Sequence, residues 1–124
     1  MIGKRLLLRP LAQADIDAIV AYCRAEGGAS LATQFADRLE HTLRTLATHS
    51  AIGSGRYADL LGIPGLRSWP IKQSAYLIFY VDDAGQIDIW RVLHGRRDIS
   101  ALLGESDPGE GDHDGLLADG AGGA

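Results

Sequence analysis

Four side chains that carry or can carry positive charge lie close together near the end of the predicted last strand: Arg91, His94, Arg96 and Arg97. Crowding like charges costs self-repulsion, and binding an oppositely charged partner offsets that cost. The cluster therefore predicts a site for an anion, an acidic protein surface or a nucleic acid. The alternative interpretation is a solvated strand end whose charges form weak surface pairs with Asp88 and Asp98.

The other chemically active side chains do not predict a metal or cofactor site. No two of the four histidines stand at ligand spacing, and Cys23 is the only cysteine, so a cysteine-based metal site is excluded. Residues 53–56, GSGR, are glycine-rich but lack the Lys-Ser/Thr pair of a phosphate loop. No serine lies in a nucleophile elbow. We expect no cofactor, no metal and no small-molecule substrate.

One metal-independent reaction stays open at this stage, the cleavage of RNA by its own 2′-hydroxyl group. That reaction requires a base, an acid and cations around the scissile phosphate. His94, Tyr76 and Tyr80 have the right side-chain types, with the arginines as the cations. Cross-strand packing is the alternative interpretation of the two tyrosines.

Length and charge predict one domain followed by a tail. The 124 residues are enough for a single hydrophobic core. Residues 1–103 carry a net charge of +2, whereas residues 104–124 carry −6 and contain seven glycines. We therefore predict a domain at 1–103 and a disordered acidic tail at 104–124. The lone cysteine and the absence of a long apolar run predict a cytoplasmic protein that does not enter a membrane.

The first half of the chain predicts a strand and two helices. Residues 4–9, KRLLLR, form a short apolar strand closed by Pro10. Residues 12–26 follow a helical period that Gly27 and Gly28 end, and a second helix follows from Ser30. Its apolar stripe consists of Leu31, Phe35, Leu39, Leu43 and Leu46. The link is short, so the helices must form an antiparallel hairpin that needs a sheet beneath it.

The second half predicts three antiparallel strands after a glycine-rich loop at 49–65. These strands lie at residues 67–71, 75–81 and 87–93, and Pro70 places the first of them at an edge or a bulge. Strict alternation in the last strand puts Arg91 on one face with Ile87 and Ile89 and puts Val92 on the other, so Arg91 needs either a partner or a ligand. We expect Asp98 to cap a final short turn. The predicted fold class is α+β.

This order of elements, with the segments YLIFYVDD and IDIWRVLHGRRD, resembles the RelE/ParE superfamily of bacterial toxins. The resemblance covers about residues 4–103, and its most specific part is RVLHGRRD, from Arg91 to Asp98, which is similar to the ending of ParE-type members. It implies the toxin of a type II toxin-antitoxin pair, inhibited by an antitoxin whose C-terminal segment wraps the helix hairpin and the sheet.

Three functions follow from the resemblance. ParE-like members stall DNA gyrase and are not enzymes, and this is the reading that we favour. RelE-like members are metal-independent nucleases that cut messenger RNA on the ribosome, and some members have no demonstrated toxicity. The residues that the resemblance assigns to the toxic surface are Arg91, His94, Arg96 and Arg97, with Arg67 and Tyr76 as additions. Their role would be target binding, and no catalytic residue is assigned.

Overall fold

The computed structural model describes residues 3–99, and the chain divides after Leu93 into two compact units. The elements are β1 (Arg5–Leu8), α1 (Pro10–Thr48), a short 3-10 turn (Ser50–Ile52), α2 (Ala58–Leu61), β2 (Leu66–Pro70), β3 (Tyr76–Asp83) and β4 (Gln86–His94). The predicted α+β class is confirmed. The predicted tail and the end of the predicted final turn, at Leu102 and Leu103, lie outside the described residues.

The long helix α1 folds back on itself at Gly28, which has φ 75° and ψ −169°. Only glycine adopts this conformation without strain. The N–H of Lys4 donates to the carbonyl of Ala47 at 2.8 Å. A straight helix would hold Pro10 about 55 Å from Ala47, whereas the chain from Lys4 to Pro10 reaches only about 20 Å. The helix is therefore a hairpin of a first arm (residues 10–27) and a second arm (residues 29–48), as predicted.

Replacing Gly28 with alanine tests this fold-back. The positive φ is strained for any residue with a Cβ atom, so we expect Gly28→Ala to lower the free energy of unfolding by about 1–3 kcal/mol in urea denaturation. Gly55→Ala is the matched control, because a Cβ atom there meets nothing closer than 4.0 Å. Equal stability of the two variants would contradict the proposed role of Gly28.

Both helical arms bury their predicted stripes against the sheet. Ile19 and Cys23 on the first arm, and Phe35 and Leu46 on the second arm, belong to the same buried cluster. The strands contribute Ile71, Ile78, Tyr80, Ile87, Ile89 and Val92 to this cluster. Each fully buried large apolar side chain contributes about 1.5–3 kcal/mol, so this interface is the main source of stability for the first unit.

The sheet has the strand order β1-β4-β3-β2. Strands β2 and β3 pair antiparallel, and β3 turns into β4 through Ala84 and Gly85, which requires an antiparallel hairpin. The three predicted antiparallel strands are thus confirmed, with β2 and its Pro70 at an edge. Strand β1 joins the sheet parallel to β4, a pairing that the sequence does not predict. No helix within residues 3–99 has the length and apolar character needed to span a bilayer.

Candidate target-binding site

The turn that follows β4 is organised by His94; we call residues 94–98 the strand-end turn. The Nδ1 atom of His94 accepts hydrogen bonds from the backbone N–H groups of Arg96, at 3.1 Å, and Arg97, at 2.9 Å. The backbone N–H of His94 donates to the Asp98 carboxylate at 2.7 Å. Residues 97–99 are helical, so the imidazole caps the first N–H groups of this turn. The Asp98 carboxylate binds the backbone at the start of the turn, and the part of the predicted final turn that it was expected to cap extends beyond the described residues.

The hydrogen bonds of His94 define its protonation state. An atom that accepts two N–H groups carries no proton, so we assign the proton of the neutral ring to Nε2. Burial, and then the charges of Arg97 and Arg96, lower the pKa of His94 below its ordinary value of 6.5, while Asp98 opposes this shift. The ring is therefore neutral near pH 7, and its charge adds nothing to the cluster at that pH.

Acidification should loosen the strand-end turn. The pKa of His94 is lower in the folded chain than in the unfolded chain, so its contribution to stability is complete above about pH 6.5 and is lost as the pH falls below that value. Protonated Nδ1 cannot accept the N–H groups of Arg96 and Arg97. We expect amide-exchange protection of these two residues, measured by NMR, to fall as the pH is lowered below about 6.5.

His94→Asn is the control for this prediction. An asparagine side chain offers an oxygen to the N–H groups that follow it and does not titrate. Protection in this variant should therefore not change over the same pH range. Wild-type protection that is equally independent of pH would contradict the assigned role of the imidazole.

The side chains of Arg96 and Arg97 are exposed on the strand-end turn. The guanidinium Nε of Arg97 lies 3.5 Å from the Asp98 carboxylate, and 47% of the Arg97 side chain is accessible to solvent. Such a long, exposed contact is worth little energy. Because His94 fixes the backbone of Arg96 and Arg97, the two side chains extend from a segment of defined conformation. Their planar guanidinium donors suit carboxylate or phosphate groups.

Arg91 lies in the first unit and binds Asp15 on the first helical arm. Its Nε and Nη2 atoms donate to the two carboxylate oxygens at 2.8 and 3.0 Å, and the same carboxylate accepts the Val92 N–H at 2.9 Å. Strict alternation of side chains along β4 ends at Arg91. Val92 belongs to the same buried cluster as Ile89, so the prediction that Val92 lies on the opposite face is wrong. Asp15 is thus a partner of Arg91 that the sequence pattern did not predict.

Arg67 and Tyr76 also have structural partners in the first unit. The Arg67 guanidinium donates to the carbonyl oxygens of Ala51, at 3.2 Å, and Gly53, at 2.8 Å. The Tyr76 ring packs edge-on against Phe35, with centroids 5.8 Å apart. The strand-end turn thus holds His94, Arg96 and Arg97 together, while the other three predicted residues bind separate partners. Their part in target binding stays a prediction.

Tyr80 is a structural residue in this fold. Its buried hydroxyl donates to the Ser50 carbonyl at 2.7 Å and accepts the Gly53 N–H at 3.0 Å. Burial raises the pKa of this hydroxyl. Within residues 3–99, no group of three His, Cys, Asp or Glu side chains is placed to hold a metal ion.

Comparisons with known proteins agree on one family. The family described as "ParE toxin of type II toxin-antitoxin system, parDE" matches residues 6–99. The protein named Toxin ParE1 in two strains of Mycobacterium tuberculosis is 33% identical over 102 residues, which cover 82% of this chain and 99% of that protein. A solved chain of the chromosomal ParDE system from P. aeruginosa shares the fold, with a TM-score of 0.62 and 21% identity over 74% of this chain and 96% of that chain.

Proposed function

This chain belongs to the ParE toxin family of type II toxin-antitoxin systems, and on that premise we propose that it inhibits DNA gyrase and is neutralised by a cognate antitoxin. The observation that carries the proposal is the strand-end turn. The segment RVLHGRRD, the most specific part of the resemblance to ParE-type members, contains the turn in which an imidazole fixes the backbone beneath two exposed guanidinium groups.

The proposed role of the strand-end turn is binding and not bond-making. A turn whose backbone is already fixed loses less conformational entropy when a target binds it. Two arginine side chains then offer planar donors to acidic side chains or DNA phosphates, both of which a gyrase-DNA complex presents. The neutral His94 ring is engaged by the backbone through Nδ1, so its assigned contribution is to support this surface.

A supercoiling assay tests the proposal directly. The full-length chain, made by cell-free synthesis, is added to purified gyrase, relaxed plasmid and ATP. We expect loss of supercoiling as the chain is titrated, with accumulation of linear plasmid after denaturation of the complex. Normal supercoiling at a large molar excess of the chain would overturn the proposal.

Two parallel measurements identify the competing functions. Cleaved messenger RNA in a ribosome-containing translation reaction, with gyrase unaffected, would replace the proposal by the nuclease function. Harmless expression in cells, with gyrase and messenger RNA both unaffected, would indicate an antitoxin-binding module without toxicity.

The antitoxin part of the proposal requires its own experiment. The partner is expected to be encoded by a short neighbouring gene whose product binds DNA. Co-expression of that product should restore growth. The product should also co-purify with the tagged chain. Failure of both would remove this part of the proposal and leave gyrase inhibition to be judged on the supercoiling assay alone.

A further inference from the structure

The outer edge of β1 presents backbone hydrogen-bonding groups that no neighbouring strand within the described chain uses. β1 ends the sheet and pairs on one side with β4. The Arg9 N–H donates to the Ile89 carbonyl at 3.0 Å, so Arg9 and, two residues earlier, Leu7 direct their backbone groups toward β4. The N–H and C=O groups of Leu6 and Leu8 therefore point away from the sheet.

Exposed leucine side chains accompany this open edge. Leu7 is 48% exposed and Leu6 is 36% exposed, and Leu11, in the first turn of α1, is 61% exposed. Leu8 packs against the buried cluster, so Leu6 lies toward the helical face of the sheet and Leu7 lies toward the opposite face. An apolar strand edge of this kind is a template for a further strand.

The opposite edge of the sheet, at β2, is protected, so a further strand is directed to the edge at β1. On β2, Ser68 exchanges two backbone hydrogen bonds with Ser54, both 2.9 Å long. Pro70 has no N–H to offer a further strand. Among residues 3–99, the fold therefore covers one edge with its own loop and leaves the leucine-rich edge without a neighbouring strand.

We propose that two copies of this chain associate through antiparallel pairing of their β1 strands about a two-fold axis at Leu7. In this register Leu6 of one copy lies opposite Leu8 of the other, so all the outward N–H and C=O groups of these residues can meet. Leu7 of each copy faces Leu7 of the other across a non-hydrogen-bonded pair, where side chains approach closely. The edge is thus complementary to itself, as a two-fold interface requires.

The charges and contacts at the two ends of β1 limit this interface. The Lys4 N–H already donates to Ala47 at 2.8 Å, so the pairing ends at Arg5. Arg5 then lies opposite Arg9 of the other copy. The Arg9 guanidinium is bound by Asp88 at 3.0 and 2.8 Å, and this carboxylate reduces the repulsion. Short pairing and partly balanced charge favour a dissociation constant in the micromolar range.

Sedimentation equilibrium of the full-length chain tests the proposal. From about 1 to about 200 µM, we expect the mass to rise from 13.2 kDa toward twice that value. Leu7→Lys places two ammonium groups face to face across the axis and should weaken association about tenfold or more. The matched control is Leu60→Lys on α2, at a leucine that is 60% exposed, and it should associate like the wild type.

Amide exchange of the wild-type chain tests the same pairing without a variant. The Leu6 and Leu8 amides should lose protection on dilution, whereas the Leu7 amide, which faces β4, should keep it. A mass of 13.2 kDa at every concentration, or association that Leu7→Lys leaves unchanged, would overturn the proposal. Both measurements proceed without gyrase or antitoxin, so their failure is separate from failure of the proposed function.

Discussion

We expect the double variant Arg96→Ala/Arg97→Ala to lose gyrase inhibition while its fold stays intact. Both side chains are exposed, and exposed ion pairs contribute little to stability, so the fold should tolerate their removal. If each guanidinium forms a charge-assisted contact with the target, losing both should raise the concentration needed for half inhibition about 100-fold or more. The measurement is the supercoiling assay, with thermal unfolding as the check on folding.

A charge-matched control separates a specific surface from general electrostatics. Arg24→Ala/Arg44→Ala removes the same number of positive charges from the helical arms, where Arg24 is exposed and Arg44 forms only an exposed pair with Glu40. This control should inhibit gyrase like the wild type. Arg96→Lys/Arg97→Lys keeps the charge but loses the planar donors, so an intermediate effect is expected. Full inhibition by the double alanine variant would exclude the strand-end turn as the target-binding surface.

Gly53→Ala should destabilise the fold strongly, because the added methyl group meets a buried side chain. A Cβ atom at this position would lie 2.5 Å from the Tyr80 hydroxyl and 2.9 Å from its ring. Tyr80 is fully buried and holds the Ser50 carbonyl at 2.7 Å, so it cannot move aside without breaking contacts. We expect the free energy of unfolding in urea to fall by about 2–3 kcal/mol.

Removing the Tyr80 hydroxyl tests the cause of that loss. Tyr80→Phe alone should cost about 1 kcal/mol, because two hydrogen bonds to the backbone are lost. In the Tyr80→Phe background, Gly53→Ala should cost less than it does in the wild type, since the closest clashing atom is absent. Gly55→Ala again serves as the neutral control. Equal costs of Gly53→Ala in both backgrounds would show that the clash with the hydroxyl is not the cause.

The helical hairpin is readable from sequence because its determinants are local. Apolar residues recur at helical spacing over both arms, and the fold-back requires a residue that tolerates a positive φ, which Gly28 supplies. The position of β1 is not readable in this way. Its partner β4 begins at Gln86, far away in the sequence. The four residues of β1 do not encode whether this strand pairs parallel or antiparallel, or at which edge of the sheet it lies.

The candidate site was only partly predictable, because some of its contacts join residues that are far apart in the sequence. Clustering of cationic residues identifies the strand end, because the cluster is contiguous in sequence. The partner of Arg91 is 76 residues away, at Asp15, and only the folded chain brings the two together. The capping role of His94 depends on backbone directions in the turn, which residue types alone do not define.

The parallel pairing of β1 with β4 also constrains when this protein can become active during its synthesis. The ribosome makes Arg5–Leu8 before the 77 residues that separate it from Gln86–His94, so this edge of the sheet cannot close until β4 has been synthesised. A nascent or prematurely terminated chain would keep its leucine strand unmatched on both sides and would be prone to aggregation. Fragments that lack β4 should therefore be insoluble and should not show the proposed inhibition of gyrase.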